Sequence, residues 1–464
     1  MRIIGMVAVV IAGCSSPSAN GVEPDAAPDA PDAPGVDADL DAPTDVPAVP
    51  CTNTVEQVYA AAAQPSAALG TILACSVDDS LSVGDLPAMV GDGIEVTSAV
   101  KQYRIAYQTR DHAGAPAVST ARVYLPSTPR ARPVPIVVAM HGSVGLADAC
   151  VPSATIDHNL PLPFAARGFA VIAPDLAGLG NAGVQDYLDN HTQGWQTLDG
   201  ARALRALLPT GITAQEMILA GYSQGGGAAL SAQALFKSDG AGLGSLAATV
   251  VYAPEWPISM KSFDYETILR DPTALTIGEG LSYSSVAVLR QYAFFEDHLG
   301  AGRGKTSVAS QYGDGLQSAV DSQCLVPLGG YIQTAMLHTG DLIESTLRTS
   351  LVACMDGTAG CTGDGAAYHQ FLVDNVLAPD ASAGPVFIVA GLLDQIMPPA
   401  KEGACIENKL KVANVDVADC MIATATHGNV MDQHKHGVAW AESVLAGGAR
   451  YSCDAVVAMP ACSN

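Results

Sequence analysis

Cations are scarce in this chain. Lys and Arg together number 22 among 464 residues, against 46 Asp and Glu, for a formal charge of −24. Nucleic-acid binders neutralise phosphates with clustered cations, so this balance excludes nucleic acid as a partner. Charged residues make up only 15% of the chain and aromatics 5%. No apolar run reaches the roughly 20 residues that a membrane-spanning helix needs. No Cys-x-x-Cys pair occurs, which removes the usual zinc-ribbon spacings. The phosphate-cradling G-x-x-x-x-G-K-[ST] pattern is absent as well. What is abundant is apolar surface, 49% of residues, enough for a large buried core.

The first residues read as a targeting signal. Arg2 precedes the apolar run Ile3 to Ala12, then Gly13 and Cys14. The run is too short to span a bilayer and has the layout of a secretory signal peptide. Its end, Ile11-Ala12-Gly13-Cys14, resembles a bacterial lipobox, which implies cleavage after residue 13 and a lipid on the Cys14 thiol. A lipid at Cys14 would hold the chain on a membrane surface rather than through it, at the bacterial cell envelope. Ser15 points to the outer membrane or cell surface by the same resemblance. Residues 14–50 then read as a tether. From residue 15 they carry eight acids, eight prolines and no Lys or Arg, with Pro-Asp-Ala repeated. Proline fixes φ and removes donors, and like charges repel, so this stretch is expected to stay extended and disordered.

Eleven cysteines support export. With Cys14 assigned to the lipid, the ten that remain allow up to five disulfides in an exported chain. The near neighbours Cys354/Cys361, Cys405/Cys420 and Cys453/Cys462 are plausible pairs, although spacing leaves connectivity open.

Beyond residue 51 the chain alternates strand and helix signals. Short apolar runs occur at Val134 to Met140, Phe169 to Ala173, Met217 to Ala220, Thr249 to Ala253, Val386 to Ala390 and Met421 to Ala425. Most stop at Gly, Pro or His. Runs without strict alternation suit strands buried on both faces, as in a parallel sheet. Leu198, Ala201, Leu204 and Leu208 sit near helical spacing between the second and third. The pattern is α/β. Lys101 to Leu125 mixes polar and apolar residues and reads as antiparallel edge strands. Residues 255–384 form a connection too long to lack structure of its own. Helix-like pieces at Ser284 to His298 and Gly329 to Leu347 make it a mainly helical cap, dividing the core into 51–254 and 385–464.

The chemistry centres on Gly221-Tyr222-Ser223-Gln224-Gly225. This G-x-S-x-G run follows a short buried strand and precedes a small-residue helix, Ala228 to Leu235, the layout of a nucleophile elbow. Small residues must flank the serine in so tight a turn, and the Gln224 backbone N–H then faces the developing oxyanion. Serine needs a base, and in this fold the order is Ser, acid, His. Asp394 follows the fifth run and His427 the sixth. His427 would take the Ser223 proton while Asp394 orients the imidazole. A second oxyanion donor is expected after the first core strand, in His141-Gly142-Ser143-Val144-Gly145, from the backbone of Ser143 or Val144. His141 is expected to be structural. His434 and His436 lie on a helix expected from about Asp432, point apart, and read as solvated residues rather than metal ligands. Gly178-Leu-Gly-Asn-Ala-Gly183 matches the dinucleotide pattern G-x-G-x-x-G, but Pro174 to Ala177 intervenes and no helix with an apolar stripe opens there. No cofactor and no metal are implied, because the triad and backbone donors suffice.

The chain resembles the secretory lipase family, the fungal lipase A type and its bacterial relatives. The resemblance lies in Ala139-Met-His-Gly-Ser-Val-Gly-Leu-Ala-Asp-Ala-Cys-Val-Pro-Ser153, in Gly168 to Gly180 with Tyr187, in the elbow, and in Pro385 to Asn429. It implies an α/β-hydrolase fold with a mostly parallel central sheet and a helical cap before the acid-bearing strand. It places the triad on Ser223, Asp394 and His427, and it implies hydrolysis of carboxylic esters, acyl glycerol-type esters first. A short-acyl polymer esterase or a serine peptidase shares the same machinery. A cell-surface binding protein on a retired hydrolase scaffold is the reading from another class.

Overall fold

Six short apolar segments lie side by side and parallel at the centre of the molecule. The computed structural model describes residues 45–155, 159–257, 265–274, 282–453 and 457–463. In chain order the strands are β1 (Ile72–Val77), β2 (Val100–Arg110), β3 (Pro116–Pro126), β4 (Val134–Met140), β5 (Ala170–Pro174), β6 (Thr213–Tyr222), β7 (Ser245–Tyr252), β8 (Val386–Gly391) and β9 (Val417–Ile422). They form one nine-stranded sheet in the order β1-β2-β3-β5-β4-β6-β7-β8-β9. From β5 to β9 every pairing is parallel, and β1, β2 and β3 add to one side antiparallel.

All seven residues of β4 are buried, because the sheet is covered on both faces. Ile136 and Val138 enter one apolar cluster, while Val137 and Ala139 enter the other. This is the period of two expected of a strand, with each face given its own core. The helices of the core are α1 (Val55–Tyr59), α2 (Pro161–Ala166), α3 (Asn190–Leu207) and α4 (Gln224–Asp239). The cap between β7 and β8 carries α5 (Tyr265–Arg270), α6 (Ser282–Asp297), α7 (Gly313–Ser322), α8 (Leu325–Ala335), α9 (Ser345–Met355) and α10 (Gly363–Asp374), and α11 (Gly403–Val412) and α12 (His434–Leu445) complete the core. Leu198 and Leu204 of α3 and Leu230 of α4 pack on one face of the sheet. Phe164 of α2 and Trp440 of α12 pack on the other. The cap has a third cluster, built on Leu289, Phe295 and Leu316, that reaches the core through Leu146 and Tyr187. The α/β-hydrolase fold class, with its helical cap, is therefore the one read from the sequence.

Several expectations need correction. β2 and β3 pair antiparallel as anticipated, but they are not edge strands, because β1 covers β2 from outside. The sixth apolar run starts four residues too late, since β9 begins at Val417 and ends at Ile422. The helix expected over Gly329 to Leu347 is two helices. α8 stops at Ala335, and α9 starts anew where the Glu344 carboxylate accepts from the N–H groups of Thr346 and Leu347. The tether does not run to residue 50. Asp45 pairs with Lys101 at 3.1 Å, and the Ala48 N–H donates to Leu207 O. The signal, Cys14 and the rest of the tether lie outside the described residues.

Ten cysteines form five disulfides, and two of the three near-neighbour pairings are wrong. Cys354–Cys361 forms as expected, and Cys51–Cys75 and Cys150–Cys324 join distant segments. The last two are nested, Cys405 with Cys462 and Cys420 with Cys453. The reason is topological. The segment after α12 folds back beside β9, where Val457 bridges Met421, and then reaches Ala400 through the Ser463 N–H. Each late cysteine therefore meets an earlier element rather than its neighbour in sequence.

Candidate active site

Ser223 stands at the end of β6 with φ +52° and ψ −117°, a left-handed conformation that a serine adopts only under strain. The surroundings hold it there. Its N–H donates to Tyr252 O, and its carbonyl accepts from the N–H groups of Gly227 and Glu255. The flanking glycines are needed for space. A Cβ on Gly221 would lie 2.0 Å from Gly225 O, and one on Gly225 would lie 2.1 Å from Met140 O. The turn leads directly into α4, so Gln224 is the first helical residue, where N–H groups have no acceptor within the helix.

His427 and Asp394 come from the ends of neighbouring strands. His427 follows β9, and its Nε2 lies 3.0 Å from Ser223 Oγ. Its Nδ1 lies 2.8 Å from Asp394 Oδ2. Asp394 follows β8, is 4% exposed, and accepts at Oδ1 from the N–H groups of Ile396 and Met397 at 2.9 and 2.7 Å. Three fixed donors thus orient the carboxylate. The Tyr222 hydroxyl donates to His427 O at 2.9 Å and holds the loop that carries the imidazole.

Ser223 and His427 open onto a cavity of about 340 Å³ between sheet and cap. Its walls include Val286 of α6 and Leu325 and Val326 of α8, with Ile396 and Met397 from the acid loop. Such a mostly apolar cleft with few convergent polar groups is the usual form of a small-molecule site. Ser143 lines it, and its Oγ lies 2.6 Å from the Tyr187 hydroxyl. Val144 instead turns its carbonyl to the Leu325 N–H, and Gly145 packs with φ +106° against Cys324 and Leu325. The Cys150–Cys324 disulfide fastens the same loop region to the base of α8. His141 bonds the backbone carbonyls of Gly142 and Asp175.

His434 and His436 are not solvated. They are 7% and 6% exposed, because α12 lies flat on β7, where Gly437 leaves no room for a Cβ beside the Tyr252 hydroxyl. His436 Nδ1 pairs with the Tyr451 hydroxyl at 2.6 Å. Burial pushes His434 down to about 4. Gly178, Gly180 and Gly183 occupy a loop at φ values of +80°, +75° and +106°, well before α3 begins at Asn190.

Sequence reasoning missed Glu255. It lies three residues beyond β7, lines the cavity, and is 2% exposed. Among the described residues neither carboxyl oxygen has a hydrogen-bond partner, and Ser285 Oγ, which lines the same cavity, has none either. Burial pushes Glu255 up to about 7, against the pull of the Arg290 charge. Its place just beyond the carboxyl end of a parallel strand is the signal that could have found it.

A buried serine, imidazole and carboxylate in one hydrogen-bonded line, on an α/β-hydrolase sheet, is an arrangement suited to acyl transfer. The family model described as secretory lipase matches residues 151–255, a segment that holds the elbow and Glu255. Among solved structures, the rice cell wall degrading esterase LipA from Xanthomonas oryzae is similar at 18% identity and TM-score 0.61, over 82% of this chain and 100% of that one. Candida antarctica lipase A in its closed state is similar at 15% identity and TM-score 0.59, over 87% and 89%. A putative hydrolase from Legionella pneumophila aligns at 16% identity and TM-score 0.61, over 82% and 100%. No curated protein sequence matches the chain. The resemblance to secretory lipases holds in these findings. They support a carboxylic ester hydrolase and, with the five disulfides, an extracellular protein.

Proposed function

We propose that this chain is a serine carboxylester hydrolase that works through an acyl-enzyme. Ser223 Oγ attacks the ester carbon while His427 Nε2 takes its proton, and His427 returns that proton to the leaving alcohol. Asp394 holds the imidazole in place and stabilises its charged form. The N–H groups of Gln224 and of Ser143 receive the developing oxyanion, and Ser143 is favoured over Val144 because it lines the cavity. Water activated by His427 then releases the acid. The observation that carries this reading is the unbroken line Asp394–His427–Ser223 at the floor of the cavity.

The apolar wall of α8 favours an acyl chain, so the substrate is an acyl ester of glycerol or a similar alcohol. Cys14 carries a lipid and tethers the enzyme to the cell envelope. Hydrolysis of p-nitrophenyl esters from acetate to palmitate by the purified, oxidised chain tests the reading. Turnover that vanishes in Ser223→Ala is the expected result. A folded, oxidised protein that turns over no ester in the series would overturn it.

A further inference from the structure

Four side chains that the proposed reaction does not use converge where the cap meets the sheet. His112 sits in the turn between β2 and β3, and Asp186 in the loop leading from β5 to α3. Asp297 ends α6, and His298 follows it. One donor atom from each lies within 4.8 Å of all the others. Asp186 is 7% exposed, and among the described residues its Oδ1 accepts no hydrogen bond. Among the described residues no Lys or Arg lies within ion-pair distance of it, whereas Asp297, Asp189 and Asp111 surround it with like charge.

The spacing is informative. His112 Nδ1 and His298 Nε2 lie 3.6 and 3.5 Å from Asp186 Oδ1. These distances exceed the range of a good N–H···O bond. They approach the separation of two ligands on one tetrahedral ion, which is about 3.3 Å for metal–ligand bonds near 2.0 Å. His112 Nδ1 and Asp297 Oδ2 are in direct contact and would part by a small rotation. The imidazoles stack with centroids 3.9 Å apart, and Phe294 and Phe371 flank His298 and limit its movement. Two imidazoles and two carboxylates suit Zn²⁺. Ca²⁺ asks for six or more oxygens and Mg²⁺ keeps most of its water. Among the described residues the other cluster of this kind, Cys420, His436 and Cys453, offers no thiolate because its cysteines are joined.

We propose that His112, Asp186, Asp297 and His298 form a structural Zn²⁺ site that clamps the end of α6 to the core. Two ligands come from the sheet side and two from the cap. Since α6 also supplies Ser285 and Val286 to the catalytic cavity, the clamp fixes the wall that the substrate meets. The ion would take no part in ester hydrolysis.

The test is calorimetric titration of the purified, oxidised chain, stripped with EDTA, with ZnCl₂ and separately with CaCl₂. One Zn²⁺ per chain, a higher unfolding temperature with Zn²⁺, and no response to Ca²⁺ are expected. Asp186→Asn and His298→Gln should each weaken Zn²⁺ binding by more than about 100-fold, beyond what loss of an outer-shell partner does. Circular dichroism establishes that each variant is folded. His298 is a fifth exposed, so His298→Gln keeps the test decisive if Asp186→Asn misfolds. A folded parent that binds no stoichiometric Zn²⁺, or binding that persists in a folded His298→Gln, would overturn the site and leave a hydrogen-bonded cluster in its place.

Discussion

Glu255→Gln isolates the cost of keeping an acid in the cavity wall. Burial raises this carboxyl from 4.5 to about 7. The folded chain therefore keeps a proton that the unfolded chain releases above 4.5. Stability from this group is greatest below that value, declines as pH rises towards 7, and is flat beyond. The interval of about 2.5 units corresponds to about 3 kcal/mol at 1.36 kcal/mol per unit. Gln keeps the shape and does not ionise. The free-energy difference between variant and parent should therefore shift by about 3 kcal/mol in favour of the variant between pH 4 and pH 8. Urea unfolding of both proteins across that range, with disulfides intact, measures it. A difference that stays constant with pH would refute the reasoning, because it would mean that the carboxyl ionises alike in both states.

His434 should act in the opposite sense. Its buried imidazole falls to about 4, so it contributes stability above 6.5 that is lost as pH falls to 4, about 3 kcal/mol that His434→Gln would remove from the same urea series. Asp394→Asn should keep the fold and lower kcat by about 10⁴-fold, since the amide holds the wrong imidazole tautomer; near-normal turnover would reject the acid's assignment. Replacing Cys150 and Cys324 by Ser opens a bridge across 174 residues, and loop closure puts the loss at about 5 kcal/mol, read from the urea midpoint under oxidising conditions.

The sheet was legible because its strands are buried on both faces. Val134 to Met140 has no polar residue to blur its limits, and β4 spans that run. β9 was placed four residues late because Asp419 and Cys420 interrupt its apolar pattern. The positions of Ser223, Asp394 and His427 could be read because the elbow pattern marks the serine and because the acid and the base follow the last two apolar runs in the order Ser, acid, His. Glu255 is also at such a position, but a lone acid after Pro254 carries no motif. His434 and His436 were misjudged because a helix face is polar or buried according to what lies beneath it, and only the fold shows Tyr252 there. The cluster at His112 was invisible for a similar reason. Its members span 186 positions from His112 to His298 and share no spacing.

The nested pairing near the end of the chain bears on how the protein is made. A chain exported from its N-terminus presents Cys405 and Cys420 to an oxidant before either Cys453 or Cys462 has emerged. A Cys405–Cys420 bond made at that stage would be non-native, and thiolate exchange would have to undo it. His427 lies inside the loop that Cys420 and Cys453 close, so a chain left with the non-native bond would lack the closed loop that carries the base to the serine. A production host with oxidant but little isomerase would yield chains of correct mass, free of thiols, and inert. Yield of protein and yield of activity would then diverge, and isomerase supply would be the variable to adjust.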